Sequence, residues 1–318
     1  MQRIVQFATN PRVRRVFNLA SGGLVLIVGL LVVRHFVANG WPIHHANPML
    51  LALAAGLFLV SYGCKAFGWQ RLFAADARPH VLTLAAAGGA AAVGGIALPG
   101  RVDELIRIAI VRKGHTISIA SVALTLFVLG LIDAVALMPL ASVAAALVSV
   151  SSLLRAGLGV VAFCGIGAAV VVVLLPRFVR VERLQRFRLC HWLARHATCP
   201  REATKATLFV GVSWTLRAVA TFVLLQALGI SASFALALAF LCAGAASAVL
   251  PVAPAGAATQ AGAGAAILIA SGVPASDAIA FSIAAQALVI ASGAVFVLVF
   301  GGRLAHGRLR PALARARL

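Results

Sequence analysis

Arg101, Asp103, Glu104 and Arg107 follow directly on a Pro99-Gly100 break, in a chain with only seven acidic residues among 318. On a helix starting near Val102, Asp103 lies four positions and Glu104 three positions before Arg107, so the charges can pair along one face. Pairing lowers the cost of placing charge in apolar surroundings. It also leaves guanidinium donors able to grip a phosphate in bidentate fashion. The helix start after Pro99-Gly100 offers unpaired backbone N–H groups that favour an anion, unless Asp103 and Glu104 cap it themselves. The plainer alternative is an interfacial helix whose charges face water.

Asp133 stands alone in the apolar run 117–144, which places it near mid-membrane. It is a candidate proton-coupling carboxylate or the partner of a buried arginine, and Arg217 is its natural counter-ion. Gln226, Gln260 and Gln286 are also polar at depth and can hydrogen-bond between helices. Cys190, His191, His196 and Cys199 have metal-ligand residue types, but their spacing matches no standard zinc site. The expectation is therefore no metal and no cofactor. Walker A, H-E-x-x-H and G-x-S-x-G patterns are absent, which points away from nucleotide hydrolysis and from the common hydrolases.

The elements that must position these residues are set by composition. The chain is 62% hydrophobic, against roughly 45–50% in soluble domains, and its mean hydropathy is +1.05. Apolar runs of about 18 residues or more recur, the length that crosses a hydrocarbon core. A net charge of +20 does not indicate nucleic acid, because the basic residues sit in short segments between apolar runs. Such clusters favour anionic lipid headgroups and set orientation. The fold class expected is all-α, a polytopic integral membrane protein forming a single transmembrane domain over 1–318.

Apolar segments fall at 16–37, 49–67, 81–98, 117–144, 156–175, 207–228, 234–250 and 275–300, with a Gly/Ala-rich run from 254 to 271. Asp103 to Lys113 reads as a short helix. Segment 177–205 is basic and amphipathic, suited to the membrane surface, and 302–318 is a basic tail. The N-terminus, 65–80, 177–205 and the tail hold the arginines and lysines, so the positive-inside rule makes all four cytoplasmic. An even number of crossings must then separate these regions. The count closes with about six full spans and two re-entrant hairpins, about eight apolar segments in all. One hairpin has its tip at Pro99 and Gly100, the other at Pro251, Pro254 and Gly256, although 81–98 is also long enough to span. The proposed external segments 140–152, 229–233 and 271–277 carry no lysine or arginine. Leu98-Pro99 recurs as Leu250-Pro251, each after small residues, which suggests an inverted repeat of about 16–144 and 153–301.

At these residues the chain resembles the lysylphosphatidylglycerol synthase transmembrane family, the flippase-like domain found both in multiple peptide resistance factors and alone. Pro99, Arg101, Glu104 and Arg107 match its first motif, with Asp103 where the family tends to have Gly. Asp133 falls on its aspartate, while Leu129 and Gly130 replace the acidic-basic pair before it. Pro254-Ala255-Gly256-Ala257-Ala258-Thr259-Gln260 resembles the second motif, with Ala258 for a Gly and Gln260 for the Glu. The resemblance implies a lipid-translocating or lipid-handling protein of the cell membrane without the aminoacyltransferase domain. Together with the charges read above, the expected headgroup site is Arg101, Glu104, Arg107, Arg217 and Gln260, with Asp103 and Asp133 as coupling or structural ion-pair residues.

The expected function is transport of an anionic or polyprenyl-linked lipid by a multi-pass protein of the cytoplasmic membrane with both termini inside. The expected partners are lipids with anionic headgroups, and a second copy or an envelope-synthesis enzyme. The alternatives are a membrane enzyme acting on lipid phosphates, and a non-catalytic anchor for an envelope lipid-synthesis enzyme.

Overall fold

The computed structural model describes residues 46–97, 102–113, 117–148, 152–178, 200–247 and 256–315, with Arg34, Val37 and Ala38 before them. Among the described residues every regular element is helical. The α-helices are α1 (Pro48–Gln70), α2 (Val81–Ala97), α3 (Val102–Arg112), α4 (Ile119–Leu147), α5 (Ser152–Phe178), α6 (Pro200–Ala227), α7 (Phe234–Ser247), α8 (Gly256–Ala270) and α9 (Ala275–Arg315). A single 3₁₀ turn, Ala75–Ala77, interrupts the link between α1 and α2.

Five of the described helices, α1, α4, α5, α6 and α9, are long and apolar enough to cross a bilayer. The protein is a polytopic helical membrane protein. The expected span at 16–37, apart from Arg34 and Val37, lies outside the described residues, as do Pro99, Gly100, Arg101, Pro251, Pro254 and the stretch 179–199 with Cys190, His191, His196 and Cys199. Helices α2, α3, α7 and α8 hold 17, 11, 14 and 15 residues. At 1.5 Å per residue the longest of these rises about 25 Å, short of the ~30 Å hydrocarbon core.

Hydropathy marks where the membrane ends, which is not where a helix ends. Helix α6 begins at Pro200 rather than at Thr207, α5 continues through Pro176 to Phe178, and α9 runs on through most of the basic tail to Arg315. The extensions are rich in Arg, Lys, Ala and Glu, which are good helix formers and need no lipid to stay helical. Elsewhere the ends are marked by local chemistry. Asn47 caps α1, its Oδ1 accepting from the Met49 and Leu50 amides at 3.0 and 3.2 Å, and Pro48 occupies the first turn. Helices α6 and α8 end at Gly229 (φ +73°) and Gly272 (φ +91°). There the 225 and 268 carbonyls accept from the 230 and 273 amides, the left-handed closure that glycine makes without strain.

The bundle is built on an antiparallel pair. Helix α1 packs along α6, with the Asn47 amide donating to the Ala227 carbonyl (2.8 Å) at one end. At the other end Glu202 takes Arg78 at 2.7 Å, Lys205 at 3.1 Å and Arg71 at 3.5 Å. Helix α4 packs on α5, α6 and α7, and α9 packs on α2, α8 and α1. The short helices pair as α2 with α3 and α7 with α8. Helix α5 turns Val160, Phe163, Ile166, Val170 and Val173 outward, an apolar stripe at helical spacing suited to lipid.

Because Glu202 gathers Arg71 and Arg78 onto the base of α6, it fastens the link 71–80. The Glu202→Gln variant is expected to be cut by trypsin at Arg71 and Arg78 severalfold faster than the wild type. Salt should narrow that difference, since the contacts are charge pairs near water. Equal cleavage rates at low salt would refute the fastening role.

Candidate functional site

Three long helices bring polar side chains to one level of the bundle. Ser61, Tyr62 and Lys65 share a face of α1 at positions i, i+1 and i+4, and Ser213, Trp214 and Arg217 do the same on α6. Asp133 enters from α4. Lys65 Nζ lies 2.8 Å from Asp133 Oδ2, and Trp214 Nε1 donates to Asp133 Oδ1 at 2.7 Å. Both carboxylate oxygens are thus engaged, one by an ammonium and one by an indole. The side chains of Lys65 and Asp133 are 24% and 21% exposed, so the pair is mostly removed from solvent.

Arg217 reaches the same place from the other side. Its Nε donates to Ser61 Oγ at 3.3 Å, and its guanidinium carbon lies 5.2 Å from the Tyr62 ring centre and 5.3 Å from that of Trp214. Lys65 Nζ in turn lies 5.3 Å from the Trp214 ring centre. A cation over an aromatic face gains about 0.5–2 kcal/mol, most where water is excluded. The serines anchor the crossing: Ser213 Oγ donates to the Ser61 carbonyl at 2.8 Å, and Ser61 Oγ to the Phe58 carbonyl at 2.7 Å.

Arg107, on α3, completes the group. It pairs with Asp103 one turn earlier at 3.8 Å, as the spacing suggests, and its Nε is buried with no hydrogen-bond partner among the described residues. It is near enough for its charge to act on Tyr62 and Lys65. Glu104 is engaged as well. Lys65 and Arg217 therefore meet beside Asp133 and two rings, with Arg107 within electrostatic reach of Lys65 and Tyr62. The chemistry this supports is recognition of an anion, with two guanidiniums offering planar forks of donors.

The structure corrects one expected pairing. Asp133 takes Lys65, not Arg217, as its ion-pair partner, because α1 presents Lys65 directly to α4 while Arg217 is drawn over the rings of Tyr62 and Trp214. Lys65 itself was expected at an interface closing the second span. The structure sets it instead against Asp133 and Trp214, and a signal was in the sequence: the charge falls within the apolar run 49–67, one turn before Trp69. Tyr62 and Trp214 carried no such signal, since a lone aromatic in an apolar run is ordinarily core. Of the remaining residues, Gln260 belongs to the α7–α8 contact, its carbonyl 3.6 Å from where a Cβ on Gly244 would sit. Gly256 is the first residue of α8.

A family model described as the lysylphosphatidylglycerol synthase TM region matches residues 18–297, which takes in all the residues of this site. No curated protein and no solved structure matches the chain.

Proposed function

Because the chain belongs to the lysylphosphatidylglycerol synthase TM-region family, we propose that it moves a lipid with an anionic or polyprenyl-linked headgroup across the cytoplasmic membrane. The family is one of membrane proteins of lipid metabolism or transport, and the helices described here agree with that setting. The observation that carries the finer reading is the meeting of Lys65 and Arg217 beside Asp133, with Arg107 within electrostatic reach, at a depth where isolated charge is costly. A headgroup phosphate would be gripped by Arg107 and Arg217, with Arg101, two residues after Pro99 in the sequence, as a further donor. Glu104 and Asp103 would hold Arg107 in its orientation, and Asp133 would couple headgroup binding to the position of Lys65.

The short pairs α2–α3 and α7–α8 act as re-entrant hairpins in this reading, and their rocking gives access alternately from each side. Their lengths, below what a full crossing needs, support it. Both termini are cytoplasmic in this reading, the side on which Arg71, Arg78, Arg201 and Lys205 gather. Gln260, on the second hairpin, lines the outer half of the path. Association with a second copy or with an envelope-synthesis enzyme fits a protein that hands a lipid onward.

Reconstitution in phosphatidylcholine vesicles with a fluorescently labelled anionic phospholipid tests the reading. The Arg107→Ala/Glu104→Ala variant is expected to translocate the lipid at least about tenfold more slowly, since loss of one charge-assisted contact exceeds 1.4 kcal/mol. Equal rates for wild type and variant would remove these residues from the site.

A further inference from the structure

The two faces that meet at the centre are copies of one another in sequence. Ser61-Tyr62-x-x-Lys65 on α1 and Ser213-Trp214-x-x-Arg217 on α6 stand 152 residues apart. The same shift carries Leu98-Pro99 onto Leu250-Pro251. Burial follows it too. The seven buried positions of α1 all fall on buried positions of α6, among them Ala54 on Ala206, Phe58 on Val210 and Ala66 on Ala218. Because α1 and α6 are antiparallel and cross with Ser213 donating to Ser61, these equivalent serines mark where an approximate two-fold axis would pass. The contacts are reciprocal, as such an axis requires. Lys65 lies over Trp214 at 5.3 Å, and its counterpart Arg217 lies over Tyr62, the counterpart of Trp214, at 5.2 Å.

One residue breaks the symmetry. Aligning the buried faces of α4 and α9, Val122 with Ala278 and Leu129 with Ala285, sets Val289 opposite Asp133, within the apolar run Leu288-Val289-Ile290. Lys65 therefore has a carboxylate while Arg217, among the described residues, has none at ion-pair distance. Two equivalent cations with one internal anion form a site that is half occupied by the protein's own carboxylate.

We propose that Lys65 and Arg217 are the two equivalent cations of a single site for a phosphate-bearing ligand on the axis between the repeats, and that Asp133 occupies the Lys65 half until the ligand displaces it. This rests on the headgroup reading above and adds to it the second cation and the competitor. Displacement is chemically reasonable because a phosphate offers more acceptor oxygens than a carboxylate and a matching geometry for guanidinium and ammonium together. The released Asp133 keeps the Trp214 indole as a partner, so it is not left bare. Binding and rearrangement of α4 against α1 are thereby one event.

The inference predicts a sign that a merely structural ion pair would not give. In detergent-purified full-length protein, Asp133→Asn removes the competitor while leaving an acceptor for Trp214. It should bind phosphatidylglycerol about tenfold more tightly than wild type, because it abolishes a like-charge clash with the ligand. Native mass spectrometry against a phosphatidylglycerol series reads this directly. Adding Lys65→Ala to Asp133→Asn should cancel the gain, whereas adding Lys65→Arg should preserve it. Parallel titration with inorganic phosphate separates the sources. Tightening for both probes assigns the site to the phosphate group itself, and tightening for phosphatidylglycerol alone assigns it to the lipid headgroup. If Asp133→Asn cannot be purified folded, Asp133→Ser, which also removes the competing charge and leaves a hydroxyl oxygen as acceptor on α4, should shift affinity in the same direction. Wild-type binding with no tightening in the folded variant overturns this inference alone. Absence of binding by wild type and by both variants overturns the headgroup reading and this inference with it.

Discussion

Removing Asp133 alone is expected to destabilise the bundle by about 2–3 kcal/mol, and removing Lys65 alone by a similar amount. Each single deletion strands a charge that is about three-quarters shielded. The loss falls below the roughly 3–5 kcal/mol of a fully buried pair because the remaining exposure lets some water in. Replacing both residues at once, as Lys65→Met/Asp133→Leu, should recover most of that loss, since no bare charge remains and the methylenes still fill the crossing. Thermal or denaturant unfolding in detergent micelles, taken as a full double-variant cycle, gives the coupling energy between the two side chains. A double variant whose loss equals the sum of the two single losses would mean that the two charges act independently. The same double variant should be inactive in lipid translocation despite its recovered stability. That outcome separates what the pair does for the fold from what it does for the ligand.

Gly293→Leu is the second large effect, and it acts through backbone contact rather than charge. Helices α2 and α9 cross at Gly89 and Gly293. A Cβ built on Gly293 would lie 2.9 Å from Gly89 Cα, and one on Gly89 would run into the Gly293 carbonyl. Because the obstacle on each side is main chain, no rotamer change relieves it, and the helices must separate. Overpacking of this kind costs about 1–3 kcal/mol, and the larger side chain belongs at the top of that range. The contact is of the small-residue type by which membrane helices approach closely. Helix α2 also leads into α3 with its Arg107 and Glu104, so separation at Gly89 should move the charged cluster and slow lipid transport together with stability. Gly63→Ala and Gly211→Ala are the controls. A Cβ at either position meets nothing within 4 Å, and the higher helix propensity of alanine should leave stability unchanged or raised by up to about 1 kcal/mol. A Gly293→Leu protein as stable as these controls would show that the crossing is not tightly held.

Much of the architecture was legible because it depends on local quantities. A hydrophobic run either reaches across the hydrocarbon core or falls short of it, and that is settled by counting consecutive residues. The spans at 49–67, 117–144, 156–175, 207–228 and 275–300 all correspond to long helices. The helix expected to start near Val102 is α3, and the Asp103–Arg107 pair followed from helical spacing alone. Helix ends were less legible, since α5, α6 and α9 continue past their apolar segments on helix-forming basic residues. The central site was half legible. Asp133 and Arg217 stood out as charges at depth, whereas Lys65 was masked by the charges that follow it toward the boundary.

The membrane class, the helical spans and the presence of charge at depth were determined by the sequence by itself, because each is a property of residues adjacent in the chain. Which charges meet was decided only by the tertiary structure. Lys65 and Asp133 are 68 positions apart, and Trp214 and Asp133 are 81 apart. Whether they pair depends on which faces α1, α4 and α6 turn toward one another. That choice is made by the close packing of small buried residues along α1 and α6, and with it the partner of Asp133 passes from the arginine that composition suggested to the lysine that geometry delivers.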